Sequence, residues 1–265
     1  MALSTDQMGN TVLLNGTPKR IISLVPSQTE LLFDLGLDEE IVGITKYYVH
    51  PKHWLETKTT IGGTKKLNLE KIKELKPDLI IGNKEENEKK QIEELQKLFP
   101  VWMSDIKTLD DSLEMIVKVG ELAGKKAKAI EIKNNIQKQF SDFKLQTSQN
   151  LYLTSTVLYL IWRKPFIAAG KETFINHLLE VCVLKNSLNK IRYPEITPDE
   201  IQKANPTYIF LSSEPYPFKE KHFAELQNIC PSAKVVLVDG EIFSWYGSRL
   251  LHAPSYFRQL LSNLS

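Results

Sequence analysis

The chain has 265 residues, 42% of them hydrophobic and 25% charged, and a formal net charge of +2. That length holds one large domain or two of ordinary size, and lysines and arginines scattered without a stripe leave no footprint for nucleic acid. No apolar run approaches the roughly 18 residues that cross a bilayer, which excludes a membrane-spanning protein.

From the N-terminus, MALSTDQMGNTVLLNG lacks the basic start, apolar core and cleavage site of a secretory signal. The expectation is a cytoplasmic protein, or a mature exported chain behind an introduced Met. RIISLV (20–25) is an apolar strand that stops at Pro26, and SQTELLFDLG starts a helix. Ser27 and Glu30 have capping-box spacing there, and Gly36 marks the helix end. EIVGIT (40–45) is a second strand. NLEKIKELKPDLIIG (68–82) supplies a helix over 69–76, a proline and a strand over 78–82. A charged helix, ENEKKQIEELQKLF, and the strand PVWMSD follow. Such alternation argues for a parallel sheet covered on both faces.

The alternation stops at Thr108. A helix from Leu109 to Ala123 meets Gly124, and a second runs from Lys125 to Lys144. In the second, Ala129, Ile132, Ile136, Phe140 and Phe143 step by three or four, so one stripe packs while polar residues face water. At 1.5 Å per residue it reaches about 30 Å, the width of a small domain. After QTSQN (146–150) the alternation resumes. YLTSTVLYLIW is one or two strands, KETFINHLLEVCV a helix, TPDEIQKANPTYIFLSS (197–213) a capped helix and strand, HFAELQNIC a helix, AKVVLVDG a strand and SRLLHAPSYFRQLLSNL the closing helix.

Two of these segments share one plan. A capping residue (Asn68, Thr197) is followed by a spacer, an acid (Glu70, Asp199), an amphipathic run, a proline (Pro77, Pro206) and an apolar strand. The fold expected is α/β, two Rossmann-like lobes joined by one long helix, with an N-terminal lobe over 1–107, a helical linker over 108–146 and a C-terminal lobe over 147–265. The alternative is a single doubly wound sheet with a helical insertion. Cys182 and Cys230 permit one disulfide, though Cys182 on the apolar side of its helix reads as a buried reduced thiol.

In open α/β sheets ligands bind beyond the carboxyl ends of the strands. Those loops are VPSQT, KYYVHP and NKEEN in the first lobe and WRKPF, SSEPYPF and WYGSR in the second. Lobes facing each other would surround a ligand with Tyr47, Tyr48, Phe166, Trp245 and Tyr246, large rigid surfaces suited to a flat or bulky molecule. His50 lies in the same loop as Tyr47. Arg249, at the start of a helix, needs an anionic partner, either a ligand carboxylate or phosphate or a structural acid. No GxGxxG follows a strand, and neither G-x-S-x-G nor H-E-x-x-H occurs. His50 and His53 have no third ligand for a metal. Binding is favoured over catalysis, with no catalytic residues, no resident cofactor and no metal site.

KRIISLVPSQTELLFDLGLDEEIVGIT, IGGTKKLNLEKIKELKPDLIIG, the long helix, FIAAGKETFINHLLEVC and ITPDEIQKANPTYIFLS together resemble the helical-backbone substrate-binding proteins of ABC importers. The resemblance runs from Lys19 to the C-terminus. It implies capture of a bulky metal complex (a corrinoid first, haem or a ferric siderophore next) and delivery to a permease dimer, by a monomer that is periplasmic or held at the cell envelope if a signal has been removed. The connecting helix then resists hinge bending, so the lobes close only slightly. It also implies that an acid at each lobe's tip docks onto permease arginines: Glu70 in the first lobe and Asp199 in the second, with Glu200 beside it able to substitute or to cap. Tyr47, Phe166 and Tyr193 match cleft aromatics, Trp245 stands where a basic residue is usual, and Thr64 and Asn83 stand where tryptophans are. One family cysteine matches Cys182 and its partner is absent. The competing readings are a cytoplasmic two-lobed α/β enzyme, glycosyltransferase-like or metallocluster-related, and a soluble ligand sensor.

Overall fold

The computed structural model describes residues 2–47, 50–147 and 155–264. The chain divides into two compact units. The first comprises Met1–Ile106, Asp110–Ile136 and Tyr246–Arg249, and the second Lys107–Leu109, Gln137–Trp245 and Leu250–Ser265. The return of four late residues to the first unit is something contiguous ranges do not express.

Unit 1 opens with a hairpin, β1 (Ala2–Thr5) and β2 (Thr11–Leu14). Asp6 closes it: Oδ1 accepts from the Met8 and Asn10 N–H groups at 2.9 and 2.7 Å. Then come β3 (Ile21–Ser23), α1 (Pro26–Asp34), β4 (Ile41–Ile44), α2 (Trp54–Thr57), the short strands β5 (Thr59–Thr60), β6 (Gly62–Gly63) and β7 (Lys66–Leu67), α3 (Leu69–Leu75), β8 (Leu79–Asn83), α4 (Lys89–Gln96) and β9 (Val101–Ser104). The sheet order is β5-β4-β3-β8-β9, all parallel. Every residue of β8 and β9 is buried. Helices on both faces require strands that are apolar throughout rather than alternating, and LII and VWM meet that need.

α1 differs from the capping-box expectation. Pro26, preset for a first helical turn, starts the helix after Val25, and no side chain caps it. Ser27 is therefore inside the helix, and Glu30 is engaged elsewhere. Gly36 takes a positive φ of 79° just past the helix end, as its place in the sequence predicts.

α5 (Leu109–Leu122) and α6 (Lys126–Thr147) follow. They approach so closely that a Cβ on Gly120 would lie 2.2 Å from that of Ala129. Ala129, Ile132, Ile136, Phe140 and Phe143 are all buried, so the stripe expected from the sequence is the packed face of α6. Its 22 residues span about 33 Å, and one continuous helix passes from unit 1 into unit 2.

Unit 2 continues with β10 (Thr156–Trp162), β11 (Phe166–Ala168), α7 (Phe174–Val181), β12 (Lys185–Asn186), β13 (Glu195–Ile196), α8 (Pro198–Ala204), β14 (Tyr208–Ser212), α9 (Phe223–Ile229), β15 (Lys234–Val238), α10 (Gly240–Ser244) and α11 (Ala253–Leu264). Tyr152, Leu153 and Thr154, read as the start of the first strand here, lie outside the described residues. β12, β10, β14 and β15 are parallel, and β11 and β13 add an antiparallel edge. Leu158, Leu160, Ile209, Leu211, Ile201 and Leu226 form the core on one face. Phe143, Phe243 and Phe257 stack on the other, with centroids 5.0 to 6.0 Å apart. Cys182 and Cys230 are both buried and reduced.

The repeat seen in the sequence is geometric. α3 is capped by Asn68 and ends at Lys76 in the left-handed region (φ 43°). α8 is capped by Thr197 and ends at Asn205 (φ 39°). Each is followed by a proline and an entirely buried strand, every position shifted by the same 129 residues (Asn68 to Thr197, Lys76 to Asn205, Leu79 to Tyr208).

Candidate functional site

In unit 1 the loops beyond the strand ends are tied by side-chain amides. Asn83, at the end of β8, donates to Ser104 Oγ at 2.9 Å and accepts from the Glu85 and Glu86 N–H groups at 2.8 and 3.1 Å. Its amide thus shapes the loop. Asn87 donates to the carbonyls of Leu24 and Thr64 at 3.2 and 3.1 Å, which fixes the β6–β7 turn carrying Thr64. Gln28 donates to Ser104 Oγ at 2.7 Å. Burial raises the carboxyl of Glu86, with Lys65 opposing. Tyr47 is 56% exposed, its ring beside Lys46 Nζ, 5.0 Å from the centroid. That ring lies over Gly63, where a Cβ would stand 2.8 Å from Cε2. Tyr48 lies outside the described residues, and His50 is half-buried.

The returning segment Tyr246–Arg249 is anchored within unit 1. Ser112 Oγ donates to the Tyr246 carbonyl at 2.8 Å, and a Cβ on Gly247 would lie 2.7 Å from the Ser27 carbonyl, so only glycine fits there. Arg249 forks onto Glu30, with Nε to Oε2 at 3.0 Å and Nη2 to Oε1 at 2.6 Å, both side chains largely buried. Between the two partners the sequence left open for Arg249, the structure supplies the structural acid. It also shows what Glu30 does instead of capping α1. Burial raises the Glu30 carboxyl, and the arginine opposes that rise.

In unit 2 the strand-end loops hold a second group. Trp245 Nε1 donates to Glu214 Oε1 at 2.8 Å, and Ser244 Oγ donates to the same oxygen at 3.0 Å. Tyr159, whose hydroxyl burial pushes far above the ordinary tyrosine range, donates to Ser212 Oγ at 3.1 Å. Phe166 is 8% exposed, packed into the core, and Trp245 and Tyr246 are each 6% exposed. Tyr193 is half-buried beside Pro194, whose carbonyl takes the Ala168 N–H. Glu214, Trp162 and Tyr216 were missed by sequence reasoning, although all three sit in loops it marked. Their signal was position, at the end of β10 and in the loop that follows β14.

Glu70 and Asp199 occupy the same place, two residues past the caps of α3 and α8. Both are exposed, and both helices start at the end of their sheet where the strands' carboxyl-end loops lie. The Asn68 N–H bonds to Ile61, whose N–H bonds to Ile44 at the end of β4. Ile196, just before the Thr197 cap, pairs with Phe166 in the hairpin strand that follows β10. Glu70 accepts from Lys73 at 2.9 Å, and Lys73 also reaches Glu94 at 3.5 Å. Glu200 is committed: it completes a capping box with Thr197 and pairs with Lys190, which together hold its carboxyl below the usual range. Asp199 makes no ion pair among the described residues.

Among the described residues no group of three His, Cys, Asp or Glu could hold a metal, and no helix is long and apolar enough to cross a membrane. A family model described as "Periplasmic binding protein" matches residues 21–228. An uncharacterized ABC transporter substrate-binding lipoprotein of Bacillus subtilis, YvrC, is 26% identical over 212 residues, 77% of this chain and 67% of that protein. The vitamin B12-binding protein of Vibrio cholerae is 26% identical over 197 residues, 73% of this chain and 70% of that protein. The solved periplasmic heme-binding protein RhuT from Roseiflexus sp. RS-1 superposes with a TM-score of 0.81 at 17% identity, covering 94% of this chain and 100% of that one.

Proposed function

From the premise that this chain belongs to the periplasmic binding protein family, we propose that it captures a bulky metal complex, a corrinoid first and haem or a ferric siderophore next, and delivers it to an ABC-importer permease. The family is one of transport binding proteins and not of enzymes, so the work of the site is recognition and release. The observation that carries the reading is the pair Glu70 and Asp199, exposed at matched positions 129 residues apart in a chain with this family match. Two like acids on equivalent helices suit a partner with two equivalent cationic sockets, such as a permease dimer. Since Glu200 is engaged in capping, Asp199 is the second docking acid and Glu200 its structural support.

The relationship to a vitamin B12-binding protein favours a corrinoid. The same fold in a heme-binding protein leaves the choice of ligand to loop side chains and not to the fold. Tyr47, more than half exposed with its ring against Gly63, is the ligand aromatic of unit 1. Relatives described as periplasmic or lipoprotein support a role outside the cytoplasm, and the protein is proposed to act there as a monomer. Titration of the purified protein with cyanocobalamin, haemin and a ferric siderophore, by calorimetry and absorbance, tests the reading. Failure of all three to bind at tens of micromolar refutes it.

A further inference from the structure

We propose that Trp162, backed by Tyr216, is the aromatic platform of unit 2 on which a flat macrocycle lies. This rests on the ligand reading above and names a contact that neither the family match nor the sequence supplied. Of the aromatic residues that the sequence resemblance touched in this unit, Phe166 is 8% exposed, Trp245 6%, and Tyr193 is half-buried. Trp162 is 39% exposed. It is the last residue of β10, at the carboxyl ends of the parallel strands, where ligands of open α/β sheets bind.

Scattered exposed apolar residues are ordinary, but this one is held. The β10–β11 ladder shifts register between Leu160 and Trp162, and an irregularity of that kind re-aims a side chain. The indole meets Tyr216 edge to face at 5.6 Å. Tyr216 meets Phe218 at 4.7 Å, and Phe218 is buried in the core. The Tyr216 hydroxyl stands 3.4 Å from His222 Nε2, and the Tyr216 N–H reaches the Ile161 carbonyl at 3.3 Å. An exposed indole braced down to the core gives up little conformational freedom on binding, which is what a stacking surface needs. The neighbouring cations differ. Arg163 is spent on Glu225 at 2.6 Å, whereas Lys164 has no ion pair among the described residues and is available to an anionic group on the ligand.

The test uses the full chain with cyanocobalamin, haemin and a ferric siderophore as probes, each titrated by calorimetry into wild type, W162A, W162F and Y216A. Hydroxyl-radical footprinting by mass spectrometry is run with and without cyanocobalamin. The other three tryptophans, Trp54, Trp102 and Trp245, are buried and serve as internal controls. The platform predicts protection of Trp162, a loss of about tenfold or more in affinity in W162A, most of the affinity kept in W162F, and an intermediate loss in Y216A. Binding that is unchanged in W162A, with Trp162 still oxidised in the complex, overturns the platform and leaves the transport reading standing. Binding of a ferric siderophore alone, unaffected by W162A, also overturns it. Failure of every probe overturns both.

Discussion

Replacing Arg249 by Met distinguishes a structural cation from a ligand-binding one. The fork onto Glu30, at 3.0 and 2.6 Å between largely buried side chains, places unit charges about 4 Å apart. At an effective dielectric of about 20 that attraction is about 4 kcal/mol. Without it the buried carboxyl escapes by taking up a proton. From its ordinary value of 4.5 to pH 7 this costs at most about 3.4 kcal/mol, at about 1.4 per pH unit. Burial already raises Glu30 with the arginine present, so part of that ceiling exists in the wild type, and the expected loss in R249M is about 2 kcal/mol. The sign in pH follows from a raised folded-state pKa. The stability is fully present below 4.5 and is lost as pH rises through the raised value, so the deficit of R249M shrinks towards pH 4.5 and is largest at neutrality. Thermal melts from pH 4.5 to 8 read this as a Tm drop of about 4–8 °C at pH 7. The double variant E30Q/R249M, with a neutral amide in place of the protonated acid, recovers most of it. If R249M melts like the wild type across this range but loses ligand affinity, Arg249 is a ligand group and the reasoning fails.

Four further outcomes follow from the geometry. T197A removes the α8 cap and lowers stability by about 1 kcal/mol in urea titration, and E200A lowers it as well. D199A leaves the unfolding midpoint nearly unchanged, yet D199A with E70A abolishes stimulation of the cognate importer's ATPase in proteoliposomes. Full stimulation by that double variant sinks the docking assignment. K76G, relieving a lysine at φ 43°, stabilises the protein by about 0.5–1 kcal/mol, and N205G gains less because Asn tolerates that region. Ellman's reagent titrates no thiol in the native protein and two on denaturation, because both cysteines are buried and burial raises the Cys182 thiol. A reading of zero in denaturant would mean a disulfide.

The alternation of elements, the buried stripe of α6 and the doubled helix-to-strand unit were legible in the sequence because each rests on short-range periodicity and capping chemistry. Ala129 to Phe143 could pack only on one face, and Pro77 and Pro206 forced the same exit from helix to strand. The same local logic went wrong at Ser27 and Glu30. Capping-box spacing was present, but Pro26 began the helix earlier and Glu30 found a cation 219 residues away. Short strands such as β5, β12 and β13, two residues each, carry too little pattern to be read locally. What the sequence by itself determined was the two-fold α/β plan and the placing of an acid at each helix start, since backbone hydrogen bonding and apolar periodicity dictate both. Only the tertiary structure decided that Arg249 belongs to Glu30, that Glu200 is committed to its cap while Asp199 has no ion pair among the described residues, and that Trp162 is exposed where Phe166 and Trp245 are buried. Those outcomes depend on which side chains long-range packing brings together, and no local spacing encodes that.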